Sequence, residues 1–346
     1  MSSNPRPLNL LCWAGYQTPQ FIQDFEKRWD CKVHGEAFDS DMIAANRIVD
    51  EHHWDMININ NPYVRSTLYP AGRISSLDGL GFETERERDL PCLDRFLHCT
   101  QSQEDSSLIG IAQRFGPFNL VIDSNQVSAS TARDEGFSMA DDPNNNQKFG
   151  VLLYPEFNVM HAAIACGIDP FKEMLSSDET RVVKRLHGWN ASARLCTSKY
   201  HELNQALVDG QIRFYVSGGV YTAGVARKAD HMNIMSVTPN RGPIDGKGGI
   251  AFVEVTSICA KSPNTDLSHH FINYMLEPDQ CHKIAFAEGV HNPVSQMGDP
   301  KVMAKFSIRD LDALQFSTLD EDMAHCAPYQ TIPNFSSIQS KVDFLK

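Results

Sequence analysis

The sequence has 346 residues, which is too many for one ordinary hydrophobic core and suits two lobes of about 150 residues each. Its 31 basic and 43 acidic residues give a net charge of −12, which argues against nucleic acid as a partner because phosphate binding needs clustered Lys and Arg. No apolar run is long enough to span a membrane. These properties indicate a globular protein whose small partner is neutral or cationic.

The first sixty residues predict a β-α-β-α-β order. The segment LNLLCW is strand-like, and Thr18 precedes a helix with Pro19 in its first position. CKVHGEAF predicts a second strand, residues 40–52 a second helix, and DMININ a third strand. This order predicts a parallel sheet with helices on its faces.

The rest of the chain continues in strand and helix units. Residues 78–107 are charged and irregular, and residues 141–149 form a polar loop. Strands are predicted in GIAQRFGPFNLVID and GKGGIAFVEVTSICA, and strand–turn–helix units in VLLYPEFNVMHAAIACGI and IRFYVSGGVYTAGVAR. The stretch from RVVKRLHGWNASARL through HELNQALVDG is predicted to be helical, as are SHHFINYML and PDQCHKIAFAEG, and the tail 300–346 is mixed.

Several of the predicted strands end in polar and aromatic loops. In open parallel sheets, ligands bind beyond the carboxyl ends of the strands. The loops there cover residues 13–16, 60–63, 154–158 and 217–221. They combine aromatic rings, amides and a carboxylate, which is the usual make-up of a small-molecule site.

The order of these motifs resembles the spermidine/putrescine-binding proteins of ABC transporters, a branch of the periplasmic solute-binding proteins. That family opens with a strand, a Trp-x-x-Tyr loop and a helix, which Trp13, Tyr16 and DFEKRW match. GGIAFVEVTSICAKSPN is similar to the family's crossing strand. HHFINYMLEPDQCHKIAFAEGVHNPV is similar to its helix pair and following loop, and is the most specific part of the resemblance.

The resemblance implies a two-lobed α/β fold of the type II periplasmic-binding-protein kind, each lobe a mostly parallel sheet flanked by helices, with a ligand cleft between the lobes. Lobe one is expected to comprise residues 1–112 and 250–295, and lobe two residues 113–249 and 296–346. Closure of the lobes around a ligand is the implied motion.

The resemblance also implies a set of ligand-binding residues. Ring stacking is expected from Trp13 and Tyr16, and carboxylate pairing with an ammonium group from Glu156 and Glu254. The other expected contacts are Asn61, Tyr63, Asn158, Ser217, Tyr221, Phe252, Tyr329 and Gln330.

Departures from the family pattern bear on the ligand. Asn158 stands where a second carboxylate is expected, and Ser217 and Phe252 stand where Trp is common. With two carboxylates instead of three or four, a monoamine, a zwitterion or a compact cation fits better than spermidine. Glu254 lies in the apolar run IAFVEVTSI, so either the ligand or an internal Arg or Lys must pair with it.

The function expected from the resemblance is capture of a small amine-containing solute for the membrane permease of an ABC transporter. The protein is expected to be a monomer without enzymatic activity, cofactor, metal or nucleic-acid partner. Location is periplasmic by resemblance. However, the N-terminal residues show no signal peptide, and nine cysteines with no CxxC pair suit a reducing compartment, so a cytoplasmic binder or sensor is an alternative.

A cysteine-dependent enzyme on the same fold, similar to the thiaminases, is the second alternative. Cys12 would be the nucleophile, and His34, His161 or His291 would be the base. Strand alternation would point Cys12 and Trp13 to opposite sides of the sheet.

Overall fold

The structure is a computed structural model that describes residues 5–80, 96–287 and 289–342. The middle of the predicted irregular segment, residues 81–95, therefore lies outside the described residues. The chain forms two compact units: unit 1 comprises Met1–Phe115 and Val253–Ser307, and unit 2 comprises Gly116–Phe252 and Ile308–Lys346. The chain passes from unit 1 to unit 2 for the last time after Ser307, whereas the sequence analysis places this boundary after residue 295.

Strands and helices alternate along most of the described chain. The strands are β1 Arg6–Trp13, β2 Cys31–Phe38, β3 Met56–Asn60, β4 Ile111–Asp123, β5 Phe149–Leu152, β6 Leu195–Thr197, β7 Phe214–Gly219, β8 Ile234–Val237, β9 Gly249–Ile258 and β10 Cys326–Pro328. Strand β4 enters unit 2 after Phe115, and strand β9 leaves it after Phe252.

Unit 1 contains the predicted β-α-β-α-β segment. Strand β1 pairs in parallel with β2 and β3, and β3 pairs antiparallel with β9, so that Asn60 lies opposite Glu254. The helices of this unit are Pro19–Trp29, Asp41–Asp50, Asn61–Tyr63, Leu97–Thr100, Thr265–Met275, Pro278–Ala285 and Pro300–Met303. The parallel pairing brings the carboxyl ends of β1 and β3 to the same edge of the sheet.

The first helix shows why unit 1 folds locally as predicted. Pro19 occupies the first helical turn, and the helix ends where Asp30 adopts a left-handed conformation with φ 46°. Phe21 and Phe25 lie on its buried face and contact the ring of Phe271, with centroid distances of 5.9 Å and 4.8 Å. The amphipathic spacing therefore places this helix against the later helix Thr265–Met275.

Unit 2 has a mixed sheet. Strand β5 pairs in parallel with β6 and β7, whereas β4 pairs antiparallel with β7 and β8. Residues 249–251 of β9 pair in parallel with β10. The helices are Ala129–Glu135, Pro155–Ala165, Ser176–Ser192, Tyr200–Val208, Val220–Lys228, Ile308–Ala313, Leu319–Ala324 and Phe335–Gln339.

One predicted helical stretch is wrong in part. The helices Ser176–Ser192 and Tyr200–Val208 are present, but Leu195–Thr197 between them forms strand β6, in which Leu195 pairs with Gly150. A strand of three residues has no recognisable period. Its pairing partner lies 45 residues earlier in the chain, so only tertiary contacts select this conformation.

The α/β class and the parallel strand–helix units predicted from the sequence are confirmed in both units. Within the described ranges, no helix combines the length and apolar character needed to cross a membrane.

Candidate functional site

The loop after β1 meets the middle of β9 at a buried charged group in unit 1. Glu254 accepts hydrogen bonds at Oε2 from the Tyr16 hydroxyl at 2.8 Å and from Arg114 Nε at 2.9 Å. The Arg114 guanidinium also lies 4.6 Å from the centroid of the Tyr16 ring, and its Nη1 donates to the Ala14 carbonyl at 3.0 Å. The Trp-x-x-Tyr loop and the crossing strand are therefore joined by Arg114.

Burial governs the pKa values in this group. Burial raises the pKa of the Tyr16 hydroxyl well above its usual value. Burial acts to lower the pKa of Arg114, but the contacts with Glu254 and Tyr16 together outweigh burial and raise that pKa, so the guanidinium stays charged. For Glu254, burial raises the pKa, and the contacts with Arg114 and Tyr16 oppose this by favouring the carboxylate.

The partner that Glu254 needs in its buried strand is an internal arginine, Arg114. Arg114 is not among the site residues expected from the sequence. A signal was present, because Arg114 is a lone basic residue in the apolar strand IAQRFGPFNLVID, and a buried charge needs a partner. Two opposite charges in two buried strands suggest an ion pair. Because the two residues are 140 positions apart, no local sequence pattern shows that they meet.

Trp13 lies at the end of β1 and is half-buried. Its ring is 4.8 Å from that of Phe38, its neighbour in β2, and its Nε1 donates to Asp41 Oδ1 at 3.0 Å. Asp41 also accepts from the backbone and side-chain amides of Asn60, at 3.2 Å and 2.7 Å. Asp41 thus fixes the Trp13 ring and the end of β3, a role that the sequence analysis missed.

Asn61 and Tyr63 follow β3 directly in a short helix. Both are buried. The Asn61 side-chain amide has no hydrogen-bond partner among the described residues, so it is available to a ligand. Trp13 and Asn61 therefore lie at the carboxyl ends of β1 and β3, and Glu254 lies in β9 opposite Asn60.

In unit 2 the candidate residues surround one aromatic cluster. Phe118 is at its centre. The centroid of the Phe118 ring lies 3.8 Å from that of Phe157, 4.6 Å from that of Phe252, 5.9 Å from that of Tyr329 and 6.2 Å from that of Tyr221. Phe252, Tyr329 and Tyr221 are among the residues expected from the sequence, whereas Phe118 and Phe157 are not. Both occupy buried positions in predicted elements, where a ring that packs in the core and one that meets a ligand have the same sequence signal.

A carboxylate lies at the edge of this aromatic cluster. Glu156 stands in the first turn of the helix Pro155–Ala165 and is buried. The Tyr329 hydroxyl donates to its Oε2 at 3.4 Å. Gln330, by contrast, is exposed. Glu156 is therefore the acidic candidate that unit 2 contributes.

Ser217 and Asn158 bond to each other and to a histidine. The Ser217 hydroxyl accepts from Asn158 Nδ2 at 2.8 Å and lies 2.9 Å from His161 Nδ1. Ser217 has φ 68°, and its carbonyl accepts from the Tyr221 hydroxyl at 2.9 Å. Burial lowers the pKa of His161 to about 3, so the imidazole is neutral. These bonds fix the turn between β7 and the next helix.

The structure gives no support to a cysteine nucleophile. Cys12 is fully buried, and its Sγ lies 3.7 Å from Gln17 Oε1 and from the Glu36 carbonyl, with no histidine in hydrogen-bond contact. Burial raises the pKa of this thiol, which disfavours the thiolate that attack requires. His34 is exposed in β2, and His161 belongs to unit 2.

The part of the chain that the structure describes contains no group of three or more His, Cys, Asp or Glu side chains arranged to hold a metal ion. The eight described cysteines are all free thiols.

No protein-family model matches the sequence, and no curated protein matches it. Solved structures match over nearly the whole chain. An ABC transporter protein of Listeria monocytogenes, assigned to spermidine/putrescine, superposes with a TM-score of 0.74 at 16% identity, covering 99% of this chain and 98% of its own.

Two further structures show the same similarity. The TpPotD lipoprotein of Treponema pallidum has a TM-score of 0.70 at 13% identity, covering 97% of this chain and 98% of its own. The binding protein MotA of A. tumefaciens B6, in complex with glucopine, has a TM-score of 0.62 at 14% identity, covering 95% of this chain and 94% of its own. The chain therefore has the fold of the solute-binding proteins of ABC transporters.

Proposed function

We propose that the protein is a solute-binding protein that captures a small amine-containing molecule and delivers it to the permease of an ABC transporter. The fold is that of such proteins. Aromatic rings and carboxylates gather in each unit, around Trp13 and Glu254 in one and around Phe118 and Glu156 in the other. Each cluster serves as a ligand-binding surface of its unit, and no bond-making step is involved.

The charges of the candidate residues favour a ligand with few cationic groups. Arg114 already pairs with Glu254, so these two side chains together add no net negative charge to the site. The rings of the aromatic cluster can receive one cationic group by cation–π contact. Spermidine would leave cationic groups without partners, and we expect it to bind more weakly than a monoamine or a zwitterion.

This function places the protein on the outer side of the membrane, in the periplasm or at the cell surface, as a monomer. One of the neighbouring structures is a lipoprotein. The N-terminal sequence of the protein isolated from its native cells would test the location, because an exported form carries or has lost a leader.

A thermal-shift screen of the purified full chain tests the function. The panel comprises putrescine, spermidine, monoamines, amino acids and quaternary amines, with neutral sugars as the control. A ligand at about 100 times its Kd adds about 2.7 kcal/mol to the free energy of unfolding. We expect a clear shift with at least one amine and none with the sugars. A folded protein that responds to no amine contradicts the proposal.

A further inference from the structure

Arg114 and Glu254 form an ion pair that is almost completely buried in unit 1. Arg114 is 1% exposed and Glu254 is 5% exposed. Removing two charges from water is costly unless their remaining hydrogen-bonding capacity is also used. The hydrogen-bond donors and acceptors that the two side chains leave unused therefore indicate which ligand groups are expected to bind here.

The pair uses only part of its hydrogen-bonding capacity. A guanidinium carries five N–H donors, and among the described residues those of Arg114 meet only Glu254 Oε2 and the Ala14 carbonyl. Within the described ranges its Nη2 has no acceptor. Glu254 accepts both of its bonds at Oε2, and no described residue donates to its Oε1. Neither Arg114 Nη2 nor Glu254 Oε1 is a fully buried atom without a hydrogen-bond partner, so both atoms keep some contact with solvent.

The surrounding loop holds this arrangement in place. Gly15 has φ +117°, and a Cβ at this position would lie 2.4 Å from the Ala287 Cβ and 3.3 Å from Arg114 Nη1. Only glycine lets the loop turn in this way and bring the Ala14 carbonyl to the guanidinium. The Tyr16 ring covers one face of Arg114. The orientation of the two unused groups is thus set before any ligand binds.

We infer that the ligand is a zwitterion whose carboxylate binds Arg114 Nη2 and whose ammonium group binds Glu254 Oε1. This deepens the proposed function and depends on it. A molecule with only ammonium groups would meet the charge of Arg114, and one with only a carboxylate would meet that of Glu254. A molecule that carries both groups on neighbouring carbons, as an α-amino acid does, complements both. Arg114 is then a specificity-determining residue.

Matched pairs of ligands that differ only in the carboxylate test this inference. The pairs are ornithine and putrescine, lysine and cadaverine, arginine and agmatine, and alanine and ethylamine. We expect that, in the pair that binds best, the amino acid has a Kd roughly tenfold or more below that of its amine, because a charge-assisted bond is gained. Isothermal titration calorimetry measures both values.

A double variant assigns the preference to the ion pair. In Arg114→Gln/Glu254→Gln both charges are absent and polar contacts remain, so we expect the ratio of the two Kd values to fall to about one. Arg6→Gln/Asp266→Asn is the matched control, since it removes an exposed ion pair of 2.8 Å from the same unit. The control is expected to keep the preference of the native protein. A double variant that folds and keeps the preference contradicts the role of Arg114.

The comparison in the native protein is decisive even if the double variant does not fold. An amine that binds as tightly as its amino acid, or more tightly, overturns the zwitterion inference and leaves the proposed function standing. A folded native protein that binds neither member of any pair and gives no shift with any amine overturns both.

Discussion

At the scale of single residues, Trp13 and Tyr16 differ in a way that the sequence does not show. The Trp-x-x-Tyr loop predicts two rings that clamp a ligand, but the two side chains differ in their surroundings. Tyr16 is buried against Arg114 and bonded to Glu254. Trp13 is half-buried and keeps part of its ring exposed. Trp13 is therefore the ring that we expect to stack on a ligand, and Tyr16 the one that positions Arg114 and Glu254.

This difference predicts distinct effects of two substitutions at Trp13. Trp13→Phe keeps a ring but loses the bond to Asp41, so we expect a loss of about 1 kcal/mol in the free energy of unfolding and retained ligand binding. Trp13→Ala removes the ring, and we expect ligand binding to be lost while the protein still folds. Calorimetric titration and urea unfolding measure the two quantities.

The matched control is Trp29→Ala. Trp29 is also half-buried in unit 1, and its ring stacks on Phe25 and His270 instead of standing at a strand end. We expect this variant to lose stability and to keep its affinity for the ligand. Normal binding by Trp13→Ala would show that Trp13 only packs against Phe38.

At the scale of elements, the strand–turn–helix unit around Ser217 combines a left-handed serine with a neutral buried histidine. His161 lies in the helix Pro155–Ala165 and stacks on Phe137 at 4.2 Å. Its contact with Ser217 joins that helix to the end of β7. The sequence predicts both elements, but neither the positive φ of Ser217 nor the burial of His161 has a local sequence signal.

A pH dependence of stability follows from His161. Its pKa is about 3 in the folded protein, and an unperturbed imidazole has a pKa of about 6.5. The unfolded chain therefore binds a proton first as the pH falls. The contribution of His161 to stability is complete above about pH 6.5 and is lost progressively toward pH 3, by up to about 1.4 kcal/mol per pH unit.

The variant His161→Gln tests this assignment, because glutamine is polar and does not titrate. We expect the free energy of unfolding in urea to fall less steeply below about pH 6.5 in this variant than in the native protein. His34→Gln is the control, since His34 is exposed in β2. Identical slopes in the native protein and His161→Gln would show that His161 can take up a proton without loss of structure.

At the scale of the whole molecule, the sequence predicts the features that depend on local patterns and does not predict those that depend on pairing between distant residues. The β-α-β-α-β segment and the helix pair near residue 270 are predicted because their apolar periodicity is local. Strand β6 and the pair of Arg114 with Glu254 depend on residues far apart in the chain. Candidate site residues can accordingly be proposed from the sequence by their position near strand ends, whereas the pairing of Glu254 with Arg114 cannot.

Calorimetric titration of the purified protein with the amine that gives the largest thermal shift tests the central claim most directly. We predict saturable binding of one ligand per chain, with spermidine weaker than the best monoamine or zwitterion. A folded protein that shows no saturable binding of any amine would contradict the assignment of this chain as a solute-binding protein.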